Sequence, residues 1–221
     1  MKDFLISRKV LAIVSLICLA LLIRGLYWLF NDWSPEAQIA RYRVIDLLGD
    51  QPSAKGLALG SSTIRWMPEA YCGPWHNRGI GNATTSEIAD YIKGSPAQHW
   101  EKILLYTGEN DFAFGRSQKT VRQDVMDLLK KVDELYSPEA VYVLAIKHTP
   151  ARLAFADEYA QFNSWLSEYS RALPNVVFSE HQLSTHAATL DQEAYQSDRL
   201  HLSSTGYKMF LAPLKSACAD D

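Results

Sequence analysis

Ser62 stands just after a short apolar run, Gly56 to Leu59, and a glycine, Gly60. A run of that length fits a buried strand of a parallel sheet, although periodicity alone also admits buried helix. Gly60 allows a sharp turn, and Ser61, Ser62 and Thr63 are helix N-cap types. Ser62 would then sit outside the carboxyl end of a strand, where open α/β sheets place their ligands. A capped helix start without chemistry is the alternative reading. Far along the chain, Asp198-Arg199-Leu200-His201 sets a carboxylate three residues before an imidazole. Ser62 as nucleophile, His201 as its general base and Asp198 orienting the imidazole could together carry acyl transfer. The developing oxyanion would face the backbone N–H groups of Ser62 and of Gly81 or Asn82, and the Asn110 side-chain amide. Arg152 could bind a substrate anion, with a surface salt bridge as the plainer reading.

These residues work together only if a scaffold converges them. Ser34-Pro35-Glu36 predicts a capped helix running to about Leu48. Strand-like segments follow at Gly56–Leu59, Trp75–Ile80, Lys102–Thr107, Ala140–Ile146 and Asn175–Phe178. Between them lie helical patterns from Thr84 or Thr85 to Lys93, from about Ser117 to Tyr136 and from about Phe155 to Ala172. A closing helix is expected from Ser203 or Ser204 toward Ala217. Strands alternating with helices of this length make a parallel sheet with helices on both faces. Ser62, Gly81-Asn82 and Asn110 then follow the first, second and third strands, and Asp198 and His201 precede the last helix. All would meet at one edge of the sheet.

The remaining signal is at the N-terminus. Lys2, Arg8 and Lys9 precede an apolar segment, Val10 to Phe30, interrupted at Arg24 and ending in aromatics up to Trp33. A cleaved signal peptide would want a small-residue cleavage site after the run, and a core helix would be amphipathic. A membrane anchor needs about 20 residues, which the segment supplies if Arg24 reaches toward the nearer interface. The positive residues in front put the N-terminus in the cytoplasm and everything after the helix on the other side. Residues 1–33 are thus expected to form a cytoplasmic tip and signal anchor, and residues 34–221 a single domain. With 221 residues, 48% hydrophobic, and a net charge of -3, the chain has enough material for one sizeable core and no basic cluster for nucleic acid. There is no C-x-x-C or H-E-x-x-H, and no metal or cofactor is expected. Cys72 and Cys218 could pair in an oxidising compartment, with free thiols as the simpler expectation.

Gly60-Ser61-Ser62, Asn77-Arg78-Gly79-Ile80-Gly81-Asn82, Gly108-Glu109-Asn110-Asp111 and Asp198-Arg199-Leu200-His201 resemble, in order, the four blocks of the SGNH (GDSL-type) hydrolases. The resemblance spans about Lys55 to Pro213. It implies a flavodoxin-like three-layer α/β/α sandwich and serine esterase, lipase or carbohydrate-deacetylase chemistry. The segment Ile146 to Arg152 is also similar to some members. Ser61 stands where the family motif has Asp, and Asn82 stands where the second block has its oxyanion glycine. No G-x-S-x-G elbow is present, which argues against the α/β-hydrolase scaffold. Three function classes remain: a membrane-anchored hydrolase of short acyl esters or O-acylated carbohydrate, an O-acyltransferase using the same residues, and a non-catalytic binding subunit.

Overall fold

The structure, a computed structural model, describes residues 8–49, 53–68, 74–184 and 192–215. Five strands form one sheet: β1 (Gly56–Gly60), β2 (Trp75–Gly79), β3 (Lys102–Tyr106), β4 (Ala140–Leu144) and β5 (Val176–Ser179). Their order is β2-β1-β3-β4-β5, and every pair is parallel. This is the flavodoxin-like doubly wound order, in which the chain switches direction across the sheet between β1 and β3. All five residues of β1 are buried, as expected of a central strand covered on both faces.

Eight helices accompany the strands among the described residues: α1 (Arg8–Leu29), α2 (Pro35–Leu48), α3 (Ser62–Arg65), α4 (Thr85–Lys93), α5 (Glu109–Ala113), α6 (Gln118–Tyr136), α7 (Ala156–Ser170) and α8 (Ser204–Leu211). Their ends are chemically marked. Ser34 Oγ accepts from Ala37 N–H at α2, Ser117 Oγ from Thr120 N–H at α6 and Ser203 Oγ from Gly206 N–H at α8. At α4, Thr84 and Glu87 form a capping box.

The two faces of the sheet carry two cores. On one, Leu57, Leu59, Ile103 and Leu105 pack with Ile88 of α4, Val121 and Val125 of α6, and Phe162 and Leu166 of α7. On the other, Ala58, Leu104 and Tyr106 pack with Ile64 of α3 and Tyr207, Phe210 and Leu211 of α8. Alternate residues of the same strand serve opposite faces because strand side chains have period two. The result is a three-layer α/β/α sandwich.

The elements expected from sequence are present, with ends shifted by a few residues. The last helix is shorter than its pattern: α8 stops at Leu211 and gives way to a 3₁₀ turn over Ala212–Leu214. Pro213 explains this, since it cannot donate to the preceding turn. Helix α7 is likewise preceded by a 3₁₀ segment, Pro150–Phe155. Helix α1 is long and apolar enough to cross a membrane and packs no side chain into the cores. Lys2, Cys72, His186 and Cys218 lie outside the described residues, so the anticipated thiol pairing is not addressed.

Candidate active site

Ser62 is the first residue of α3, two positions beyond the last residue of β1. The short helix sits against β2 because glycine permits it. A Cβ on Gly79 would come within 2.0 Å of the Arg65 nitrogen. Asn77 of β2 clamps the same contact, its Nδ2 donating to Ile64 O at 2.7 Å and its Oδ1 accepting from Gly79 N–H at 2.9 Å. From the other side, Tyr207 Oη donates to Thr63 O at 2.8 Å. The serine is thereby fixed at the carboxyl end of the interior strand β1.

His201 reaches it across 139 positions of sequence: its Nε2 lies 3.1 Å from Ser62 Oγ. The other ring nitrogen, Nδ1, is 2.6 Å from Asp198 Oδ2. With Nδ1–H donating to the carboxylate, Nε2 is left as the acceptor for the Ser62 hydroxyl proton. Asp198 Oδ1 accepts from the backbone N–H groups of Leu200 and His201, each at 3.0 Å. The turn closes through Arg199 in the left-handed region, φ 60. Burial opposes ionisation of Asp198, but the hydrogen bonds from the His201 ring and from the two backbone N–H groups outweigh it and hold the carboxyl at about 2. The Trp66 ring lies against the imidazole, centroids 4.1 Å apart.

The two candidates of the second loop have different surroundings. Gly81 N–H donates to Gln38 Oε1 at 2.8 Å, and Gln38 Nε2 donates back to Gly81 O at 3.2 Å. Both polar groups of Gly81, one of the two N–H donors expected from sequence, are therefore bonded to α2. Asn82 takes a left-handed conformation, φ 62, which Asn tolerates better than most residues. Its backbone N–H carries no hydrogen bond among the described residues.

Asn110 sits in the first turn of α5, entered through Gly108 at φ 97, a conformation suited to glycine. Its Nδ2 donates to Ala83 O at 2.9 Å, and its Oδ1 accepts from Arg152 Nη1 at 2.9 Å. One amide hydrogen is left over. Arg152 also lies 3.4 Å from Glu109 Oε1, so its partners are protein groups at the site rather than the outer surface. Below them Glu109 Oε2 accepts from Lys147 Nζ at 2.6 Å and from Tyr106 Oη at 2.7 Å. Lys147, 1% exposed, also donates to Thr63 Oγ1 at 3.0 Å, beside the serine. Burial opposes ionisation of Glu109, yet the Lys147 and Arg152 charges hold its carboxyl below the usual range. Burial pushes Lys147 down from the ordinary lysine value, and the Glu109 carboxylate opposes that shift.

Asp111, beside Asn110, is structural. Its Oδ2 accepts from Thr85 N–H and Oγ1, and its Oδ1 from Arg116 Nη1. A recess of about 510 Å³ opens on the Asn82 side, lined by Trp33, Pro35, Thr84, Phe114 and Arg116 among others. Among the described residues no cluster of His, Cys, Asp and Glu is arranged to hold a metal.

Residues 51–209 match the GDSL-like Lipase/Acylhydrolase family. The chain belongs to that family. Solved structures repeat the fold at low identity. A Streptococcus pneumonia protein whose given name refers to platelet activating factor superimposes with a TM-score of 0.74 at 21% identity, covering 90% of this chain and 99% of that one. A lipolytic G-D-S-L family member from Veillonella parvula gives 0.62 at 14%, covering 75% and 98%. The lipase Lip_vut3 from a goat rumen metagenome gives 0.54 at 18%, covering 75% and 97%. Comparison with curated proteins returns no match.

Sequence reasoning overlooked Gln38, Trp66, Glu109 and Lys147. Trp66, four positions after Ser62, could have been placed on the same helix face. Glu109 and Lys147, charged residues next to buried strands, ask for partners. Gln38 carried no signal.

Proposed function

We propose that this member of the family hydrolyses short acyl esters through an acyl-serine intermediate on Ser62. The observation that carries the reading is the chain Ser62 Oγ–His201 Nε2–Asp198 Oδ2, with links of 3.1 and 2.6 Å from one hydroxyl to one carboxylate. His201 Nε2 takes the hydroxyl proton as Oγ attacks the ester carbonyl, and Asp198 steadies the imidazolium that forms. The carbonyl oxygen becomes an oxyanion facing three donors: the Ser62 N–H, the Asn82 N–H and the remaining Asn110 Nδ2 hydrogen. Collapse returns the proton to the departing alkoxide and leaves the acyl group on Oγ. Water, deprotonated by His201, then attacks the acyl carbonyl, and the carboxylic acid and the serine hydroxyl are released.

In this reading Arg152 is a positioning residue. Its bond to Asn110 Oδ1 decides which end of the amide faces the ester, since a flipped amide would present an acceptor to a developing negative charge. Buried Lys147 and Glu109 support that arrangement from beneath. O-acyl groups on carbohydrate are the substrate class kept from the sequence reading. Helix α1 is read as a membrane anchor with the domain on the non-cytoplasmic side, supported by its apolar length and by Lys2, Arg8 and Lys9 in front of it.

The test is turnover of an acetyl ester by the full chain in detergent, beside Ser62→Ala. Turnover that disappears in the variant is the expected result. A folded wild-type chain that releases no acetate from any acetyl ester would overturn the hydrolase. Release that appears only when a sugar acceptor is added would reassign the chain as a transferase.

A further inference from the structure

Gln38, in α2, has no exposed surface, and both ends of its amide are bonded. Its Oε1 accepts from Gly81 N–H at 2.8 Å and from Arg65 Nη1 at 2.6 Å. Its Nε2 donates to Gly81 O at 3.2 Å, to Asp32 O at 2.9 Å and to Ser34 O at 3.3 Å. Donors alone meet the oxygen and carbonyls alone meet the nitrogen, so the amide has a single workable orientation. Arg65 is the last residue of α3, the helix that begins with Ser62. One buried side chain therefore ties the nucleophile's helix to the second loop. Asp32, in the turn after α1, holds the same guanidinium from outside, 2.9 Å from Arg65 Nη2.

The bond to Gly81 O has a chemical consequence. That carbonyl and the Asn82 N–H belong to one peptide unit, which is planar and trans, so the two point in opposite directions. Gln38 Nε2 turns the carbonyl toward α2 and thereby aims the Asn82 N–H away from it. The bond also strengthens the donor, because a carbonyl that accepts a hydrogen bond polarises its own peptide. Were this unit to rotate, it would offer an oxygen where an N–H had stood. Glycine makes the room: a Cβ on Gly81 would come within 3.2 Å of Arg65 Nη1 and 3.4 Å of both polar atoms of the Gln38 amide.

We infer that Gln38 is a positioning residue for acyl transfer. Through Gly81 it sets the direction and the strength of the Asn82 N–H, and through Arg65 it fixes that N–H relative to Ser62. The inference rests on the proposed hydrolase and on its use of the Asn82 N–H toward the oxyanion. It gives α2 a part in the chemistry, although Gln38 lies ahead of residues 51–209, the part of the chain that matches the family. Oxyanion stabilisation depends on donors held still in the right place, and two donors on different segments need a bridge between them.

The experiment uses the full chain in detergent with p-nitrophenyl acetate, rates being expressed per site titrated with a serine-directed phosphonate. A trifluoromethyl ketone, which forms a tetrahedral oxyanion on the serine, reports the donors directly. Gln38→Met keeps the length of the side chain and removes both sets of bonds. It should lower kcat by roughly ten- to a hundredfold with KM within about twofold, and weaken the ketone by a similar factor. Gln38→Glu keeps an acceptor for Gly81 N–H and Arg65 but sets a carboxylate oxygen against Gly81 O. It should lose at least as much kcat as Gln38→Met.

A Gln38→Glu protein with wild-type kcat would overturn the inference, since the donor to Gly81 O would then be idle. So would a Gln38→Met protein with a lower Tm but unchanged kcat and ketone affinity per site, the mark of a purely structural residue. A fall in kcat with no change in ketone affinity would overturn it as well. Arg65→Met cuts the bridge at a partly exposed side chain and covers the case in which neither Gln38 variant folds. It should show the same paired losses, several-fold in size, and unchanged values would overturn the inference. All of these results leave the hydrolase standing. A wild type that hydrolyses no acetyl ester removes the hydrolase and the inference with it.

Discussion

His201, bonded to Ser62, and Asn110, proposed to face the same ester, rest on supports built in opposite ways. The His201 side is local and wet: Asp198, 45% exposed at its side chain, and its partners span positions 198–201. The Asn110 side is distributed and dry. Its amide is fixed by Arg152 and Ala83, and beneath it Glu109, Lys147 and Tyr106 are almost wholly enclosed. The difference follows from the two jobs. A base that accepts and returns a proton changes charge during every turnover and gains from nearby water. A donor to an oxyanion gains from standing still, since any reorientation during reaction would subtract from what it stabilises.

The largest expected effect lies on the wet side. Ser62→Ala and His201→Ala should each lower kcat by roughly 10⁴- to 10⁶-fold, and the double variant by little more, because the two act as a unit. Steady-state kinetics that found the two losses multiplying would separate their roles. The next effect belongs to the dry side and reads on stability. Lys147→Met leaves the Glu109 carboxylate buried with Arg152 as its remaining cation and should cost about 3–5 kcal/mol. Adding Glu109→Gln should recover most of that in urea melts, whereas a double variant as unstable as the single would show that the charge pair is not the cause.

Asn110→Ala should lower kcat by roughly 10²- to 10³-fold with little change in KM. Arg152→Ala should follow in the same direction by about tenfold, through the freed amide. A rise in KM without a fall in kcat would instead return Arg152 to the substrate-binding role that its position suggested from sequence. The smallest effect is on pH. The folded-state carboxyl of Asp198 is lowered to about 2, so its contribution to stability is complete above the unfolded carboxylate range near 4 and is lost as pH falls through about 2. The difference in Tm between wild type and Asp198→Asn should therefore shrink as pH falls below about 4.

The same contrast explains what could be read from the chain. Strands β1, β3, β4 and β5 were legible because each is a short, mostly apolar run closed by glycine or a polar turn, and the caps of α2, α4, α6 and α8 because serine or threonine precedes those helices. Asp198 and His201 lie three residues apart, so their relation is written locally. Asn110's support is not. Arg152 and Lys147 reach it or its neighbour Glu109 from 42 and 38 positions away. No periodicity encodes such distances. The bonding of Gly81 N–H was hidden for the same reason, its acceptor being Gln38, 43 positions upstream. Helix α5 escaped because Gly108-Glu109-Asn110-Asp111 has turn composition, and it is helical through the Asp111–Thr85 and Tyr159–Glu109 contacts.

The central claim is that Ser62 is a nucleophile activated by His201. A serine-directed phosphonate reacts covalently only with such a hydroxyl, and peptide mapping locates the adduct. The account predicts one adduct on the folded full chain, at Ser62, formed much more slowly in His201→Ala and absent in Ser62→Ala. A folded wild-type chain that stays unlabelled, or that carries its adduct on another residue, would contradict it.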